Sequence, residues 1–391
     1  MTYDPLHLAV ALDGAGWHPA AWRDPAVKAR ELFTARHWAG LVAEAERGLL
    51  DFVTIEDALG LQSTLLDGPD DRTDQVRGRF DAVLLAAALA PLTTGIGLVP
   101  TATTTHTEPF HVAIGIATLD HVSAGRAGWR VQVSARRTEA AHFGRRDLPA
   151  LDPGRADLAE ELFAEAADAV EVARRLWDSW EDDAEIRDVA TGRFIDRDRL
   201  HYIDFAGDRF SVKGPSITPR PPQGQPVVAV LDHGRSRVPY ELPARSADVV
   251  FVTPHDRNDA AAIVEQVRSV RTRPLKVFAD LLVFVGDDAE TRRVRLDELA
   301  GAELDSDAFV FTGTAAELAD LLLDWRAAGI EGYRLRPGAV PIDLEAITRR
   351  LVPELRERGA FRSRYEATTL RGLLGLPRPA SRYASQKADI T

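Results

Sequence analysis

The 391-residue chain contains no cysteine, which removes disulfides, thiolate nucleophiles, Fe–S clusters and cysteine-based zinc sites together. Positive charge is also short. Asp and Glu number 60 against 48 Lys and Arg, a formal net charge of −12 with a sequence pI near 5.4. Nucleic-acid binding needs a basic footprint, so no nucleic-acid partner is expected. No apolar run reaches the ~20 residues of a membrane span, so no membrane partner is expected either. The opening MTYDPLHLAVALDGAGW has no basic region ahead of its apolar stretch and carries Asp4 and Asp13 around it. It reads as a strand of the fold, and a cytoplasmic location is expected.

Several motifs are missing as well. No GxGxxG opens a helix after the first strand, and no P-loop, GxSxG elbow or HExxH pair occurs. His106, His111, His121 and His142 lie in one region, but none has metal-ligand spacing with a third carboxylate. No metal is expected. His121, ahead of Val-Ser-Ala-Gly-Arg, reads as a helix C-terminal residue complementing the dipole.

What is present is an alternation. Apolar runs predict strands at 6–12, 51–55, 94–99, 127–133, 227–231, 248–252, 275–285 and 332–335. Helical patterns fall at about 34–48, 82–90, 109–121 and 158–177. Eight such units favour an α/β fold of the (β/α)8 TIM-barrel type with long loop insertions over a doubly wound sheet. The length alone would allow two or three domains. The strand count instead reads 1–377 as a single barrel domain with insertions near 57–80, 135–157 and 181–226. Residues 378–391 read as a polar C-terminal tail. Insertions in a barrel usually sit in the loops over its C-terminal face, where ligands bind; a plain surface excursion is the other reading for 181–226.

Polar residues at strand C-termini are the functional candidates in such a fold. They are Glu56 and Asp57, the run Thr101-Ala102-Thr103-Thr104-Thr105-His106, Gln132 and Ser134, and Asp232-His233-Gly234-Arg235-Ser236. A hydroxyl cluster and a Gly-Arg-Ser turn before a helix suit a phosphate, and equally suit ordinary N-cap chemistry.

The chain also resembles a known family. AEAERGLLDFVTIEDALG (43–60), TTGIGLVPTATTTHTEPFHVA (93–113), ATLDHVSAGRAGW (117–129) and VPELRERGAFRSRYEATTLRGLLGL (352–376) are similar to the bacterial luciferase-like, flavin-dependent monooxygenases. The nearest branch is the nitrilotriacetate and dibenzothiophene-sulfone monooxygenase type. That resemblance implies a barrel using FMN as reduced FMNH2, delivered by a separate NAD(P)H:flavin reductase. One oxygen atom of O2 would enter a small organic substrate through a flavin C4a-(hydro)peroxide, in a pocket that keeps water away. It also implies a homodimer or homotetramer.

Carried over position by position, Asp57 matches the carboxylate near the flavin ring. Thr101 and Thr103 match the T-x-S-T-T run, and Ser236 matches a serine on the FMN phosphate. Arg130 and Ser134 fall in the stretch that is Trp-Asn-x-x-Thr-Ser in the family, so an amide is lost and Val133 replaces a hydroxyl. Ala159, Leu162 and Phe163 stand where a His, an Arg and a phenol would contact the cofactor. Asp232 adds negative charge beside the phosphate position, and Arg130 and Arg235 are the candidates to offset it. Phe110 and Trp129 are expected in the substrate pocket, with His106 as a candidate proton donor or base. The departures leave two alternatives open. One is a degenerate homologue with little FMN affinity serving as a partner subunit, and the other is a deazaflavin (F420)-dependent oxidoreductase.

Overall fold

A computed structural model of the chain describes residues 6–65, 67–149, 156–232 and 246–384. Eight parallel strands close into a barrel: β1 (His7–Leu12), β2 (Phe52–Ile55), β3 (Gly97–Thr103), β4 (Gly128–Gln132), β5 (Val227–Asp232), β6 (Val249–Val252), β7 (Lys276–Val285) and, last in the chain, β9 (Gly332–Pro337). Strand β8 (Phe309–Gly313) lies outside the ring, paired only with the upper half of β7. The ring closes where β6 meets β7, with Val249 opposite Lys276. The eight expected strands are the eight of the barrel.

Helices cover the outside. They include α1 (Ala35–Arg47), α2 (Ala82–Leu89), α3 (Pro109–Val122), α4 (Arg137–Phe143) and α5 (Ala156–Asp178), followed later by α6 (Arg257–Val270), α7 (Ala289–Ala300) and α8 (Ala315–Ala327). Side chains of a strand alternate between faces, and the parity here sorts the core into two shells. Leu8, Val10 and Leu12 of β1, Val53 and Ile55 of β2, and Trp129 and Val131 of β4 face outward into the helix layer. Ala9, Phe52, Val99, Ala229, Phe251 and Phe278 fill the lower lumen, and Leu370, Leu374 and Leu376 from the C-terminal segment complete that cluster.

The third strand begins later than the sequence pattern suggests, at Gly97 and not Thr94. The backbone N–H groups of Thr94, Gly95 and Ile96 all donate to one carboxylate oxygen of Glu46, which spends that stretch on a helix–loop tie. Of the two readings for 181–226, the segment follows the surface excursion. It joins α5 to β5 on the side away from the barrel mouth, and carries two antiparallel hairpins, Glu185–Asp188 with Arg193–Ile195 and Phe205–Ala206 with Ser211–Val212. Near its end Gln223 bonds Asp120 and the carbonyl of Ala127, at the foot of β4. Residues 378–384 run along the same side: Arg378 pairs with Asp182, Arg382 with Glu171, and Tyr383 stacks on His201 at 4.5 Å. No helix among the described residues is long and apolar enough to cross a membrane.

Candidate functional site

Above the apolar lower lumen the barrel interior turns charged. Parity carries Arg130 and Gln132 of β4 inward, with Glu56 just past β2, Asp280 on β7, and Arg334 and Arg336 on β9. Arg130 donates to Glu56 at 2.6 Å, to the Thr101 hydroxyl at 2.7 Å and to the Gln132 side-chain carbonyl at 3.0 Å. Arg334 bridges Glu56, at 3.0 Å, and Asp280; Arg336 joins Asp280 to Asp307, at 2.7 Å. Burial alone would push Glu56 up, but the guanidiniums of Arg130, Arg334 and Arg336 hold it below its usual range. Burial pulls Arg130 down to about 10, so both partners remain charged at neutral pH. Each charge here has a partner, which is the condition for keeping ions in a lumen.

A cavity of about 630 Å³ opens over this network at the C-terminal mouth, within the usual size range of small-molecule sites. Its wall includes Asp13 and Trp17 after β1, Asp57, Gln62 and Arg79 from the 57–80 insertion, and Ser134, Arg136 and Glu139 after β4. Val133, Phe163, Val230 and Leu231 give it apolar surface. The 57–80 insertion thus forms one side of the cavity, and the start of 135–157 another.

Asp57 has two attachments. Its carboxylate accepts the N–H of Ala58 at 2.7 Å and that of Ala82, first residue of α2, at 2.9 Å. Burial nevertheless pushes its pKa up, against those two hydrogen bonds. Asp13 is pushed up the same way, by burial first and by the nearby Glu56, with Arg79 and Arg130 opposing. Ser134 accepts from the Arg136 N–H, and its own N–H donates to Thr105.

Two polar atoms on the cavity wall are buried without a partner among the described residues: Nε of Arg79 and Oε2 of Glu139. One can only donate and the other only accepts, as a bound polar molecule would require.

Of the expected site residues, Asp57, Arg130, Ser134 and Phe163 come together on this wall. Thr101 and Thr103 lie just behind it, Thr101 under Arg130 and Thr103 accepting from Gln132 at 3.3 Å. Arg235 and Ser236 lie outside the described residues. Asp232 is buried at the end of β5 and is not among the cavity-lining residues.

Three expectations need correction. Trp129 is no pocket residue: its parity sends it into the outer shell, fully buried, with its indole N–H on the Ala102 carbonyl at 3.1 Å. Phe110, in the first turn of α3, packs on that same outer core and is absent from the cavity wall. His106 lines a separate cavity of about 290 Å³ with Phe143, Arg145, Arg146 and Arg209. There its ring stacks on Phe143 at 5.6 Å, away from the main cavity, and burial lowers its pKa. Arg130 keeps its expected place on the cavity wall, with donors on Nε and Nη2 engaged by Thr101, Glu56 and Gln132.

Residues absent from the sequence-based set include Arg79, Glu139, Arg334 and Arg336. The arginine pair had a signal, two charges at i and i+2 in an otherwise apolar strand, which places both on one face. Arg79 and Glu139 had none, because they reach the wall from a loop and a short helix.

Comparison with known proteins places this geometry in a family. The family model described as luciferase-like monooxygenase matches residues 15–332. The chain is 31% identical to N-acetyl-S-(2-succino)cysteine monooxygenase of Bacillus subtilis (strain 168), over 97% of this chain and 98% of that protein. It is 30% identical to nitrilotriacetate monooxygenase component A of Aminobacter aminovorans, again over 97% and 98%. A solved riboflavin lyase, holding modified FMN and riboflavin, superposes with a TM-score of 0.83 at 25% identity, covering 96% of this chain and 97% of that one. With its parallel eight-stranded barrel and near full-length matches to monooxygenases, the chain belongs to the luciferase-like monooxygenase family of oxidoreductases.

Proposed function

We propose that this protein is an FMNH2-dependent monooxygenase of the two-component type, receiving reduced flavin from a separate NAD(P)H:flavin reductase and acting in the cytoplasm as a homo-oligomer. The reading takes residues 1–377 as one barrel unit and the mouth cavity as the shared site of flavin and a small organic substrate. The observation that carries it is the cavity itself, with apolar surface from Val133, Phe163, Val230 and Leu231 beside hydrogen-bonding groups on Asp57, Gln132 and Ser134. A flat ring system with a polar edge fits that combination, and the unpartnered buried donor and acceptor fit a site completed by a polar ligand.

When bound, reduced flavin would supply the activation of O2. The chain's own residues do the rest. Asp57, Gln132 and Ser134 orient the ring through hydrogen bonds, and Phe163 with the three aliphatic side chains excludes water from its faces. The paired network of Glu56, Arg130, Arg334 and Asp280 forms a rigid charged floor. Arg235 and Ser236 are assigned to the phosphate on sequence grounds.

Flavin-fluorescence quenching titrations with purified protein test the reading, with saturable FMN binding expected at low micromolar concentration. No binding at high micromolar FMN would overturn it in favour of the degenerate partner-subunit alternative, which gains weight from Arg130 being engaged within the protein. Selective binding of the deazaflavin would move the chain to the other alternative.

A further inference from the structure

Three guanidiniums reach the wall of the mouth cavity, and they differ in company. Arg130 is held by Glu56 at 2.6 Å and Arg136 stands 3.7 Å from Glu139. Arg79 has no carboxylate within ion-pairing distance and no hydrogen bond among the described residues, and its Nε is buried without an acceptor. Its charge acts on Asp13 and Asp57, favouring their ionised forms against burial. Asp57 already accepts two backbone N–H groups.

Its placement is fixed from both sides. Gly78 exchanges two hydrogen bonds with the Gln62 side chain, at 2.8 and 3.0 Å. Phe80 packs edge-on against Phe33 at 5.7 Å. A cation anchored in this way on a cavity wall, with donors unspent, is preorganised for an anion entering from the cavity, and a guanidinium matches a carboxylate in geometry.

We propose that Arg79 is the substrate-recognition residue of this cavity and that the substrate is an organic carboxylate, bound through a charge-assisted hydrogen bond to that guanidinium. The inference rests on the reading above only in taking the mouth cavity as the substrate site.

Isothermal titration with succinate and citrate, using succinamide as the uncharged control, tests it on the purified chain with and without FMN. Both carboxylates should bind saturably where succinamide does not. Arg79→Gln should weaken them roughly ten- to a hundred-fold, the range for losing a hydrogen bond to a charged group. Arg79→Lys should fall between, keeping the charge without the planar fork. The FMN dissociation constant, read separately by flavin fluorescence, should not move. Because Arg79 makes no ion pair among the described residues, the variants should keep the wild-type melting temperature by circular dichroism. Equal binding of succinate and succinamide, or carboxylate binding unchanged in Arg79→Gln, would overturn the proposal. So would a loss confined to FMN, which would assign Arg79 to the cofactor phosphate. Carboxylate binding that depends on Arg79 in a protein with no FMN affinity would uphold this inference while removing the monooxygenase reading.

Discussion

Asp57 is predicted to matter for stability as well as for the ligand, because one carboxylate serves both the cavity wall and the start of α2. Asp81 caps the same helix by accepting the Leu84 N–H, so the helix entrance has two acidic acceptors. Asp57→Ala should lower the unfolding free energy by about 1 kcal/mol, the usual cost of losing such an acceptor, and should also weaken FMN. Asp57→Asn keeps one acceptor oxygen but turns its NH2 donor toward the second backbone N–H, so urea unfolding should find it destabilised about as much as Asp57→Ala, with FMN affinity falling as well. Equal stability of wild type and Asp57→Ala would show that the two backbone hydrogen bonds contribute nothing net. At this scale the sequence was legible where strand-end position alone decides, as for Asp57 and Ser134. It failed for Trp129, because one residue of strand parity separates cavity from outer shell. His106 was lost differently: Thr104 binds the Gln132 carbonyl and Thr105 accepts the Ser134 N–H, and these cross-strand ties turn the next residue toward Phe143.

Among the elements, the tie at Asp248, just ahead of β6, shows how the foot of the barrel is held. Arg174 from α5, Arg273 ahead of β7 and Arg371 from the C-terminal segment all converge on it, at 3.0, 3.2 and 3.3 Å. Burial alone would raise its pKa, but these three charges lower it from 3.8 to about 2. A depressed folded-state value contributes stability above the unfolded pKa and loses it as pH falls through the folded one. This site should therefore withdraw about 2 kcal/mol between pH 4 and pH 2. Asp248→Asn should cost about 3–5 kcal/mol at neutral pH by leaving buried guanidiniums unpaired, and should flatten the acid limb of the stability profile. Denaturant unfolding across that pH range measures both, and an unchanged acid limb in the variant would remove Asp248 from the account. Long-range ties of this kind also mark the limit of reading elements from sequence. Alternating apolar runs were enough for eight strands, yet the start of β3 depended on Glu46, some fifty residues earlier. Strand β8 was missed because its short run, Phe309–Gly313, pairs only with the part of β7 that extends beyond the ring.

For the whole molecule, charge is the property that bears most directly on a phosphorylated cofactor. The chain carries a formal −12, and the cavity wall adds four carboxylates, Asp13, Glu56, Asp57 and Glu139, against three guanidiniums. A dianionic phosphate approaching this mouth meets repulsion at long range, whatever hydrogen bonds await it at contact. Such repulsion between separated charges is screened within about 10 Å at 0.1 M salt, whereas close pairs inside a cavity are screened far less. The association rate for FMN should therefore rise several-fold as ionic strength goes from about 0.02 to 0.5 M, the reverse of an electrostatically steered encounter. Stopped-flow flavin fluorescence at increasing NaCl, with riboflavin as the phosphate-free reference, isolates the effect. Riboflavin should show little salt dependence. If the FMN rate instead falls with salt, local positive charge must dominate the net −12. The sequence at 233–245 would then be the first place to neutralise, beginning with Arg235→Gln and Arg237→Gln, and the reversal of the salt slope in those variants would locate the phosphate.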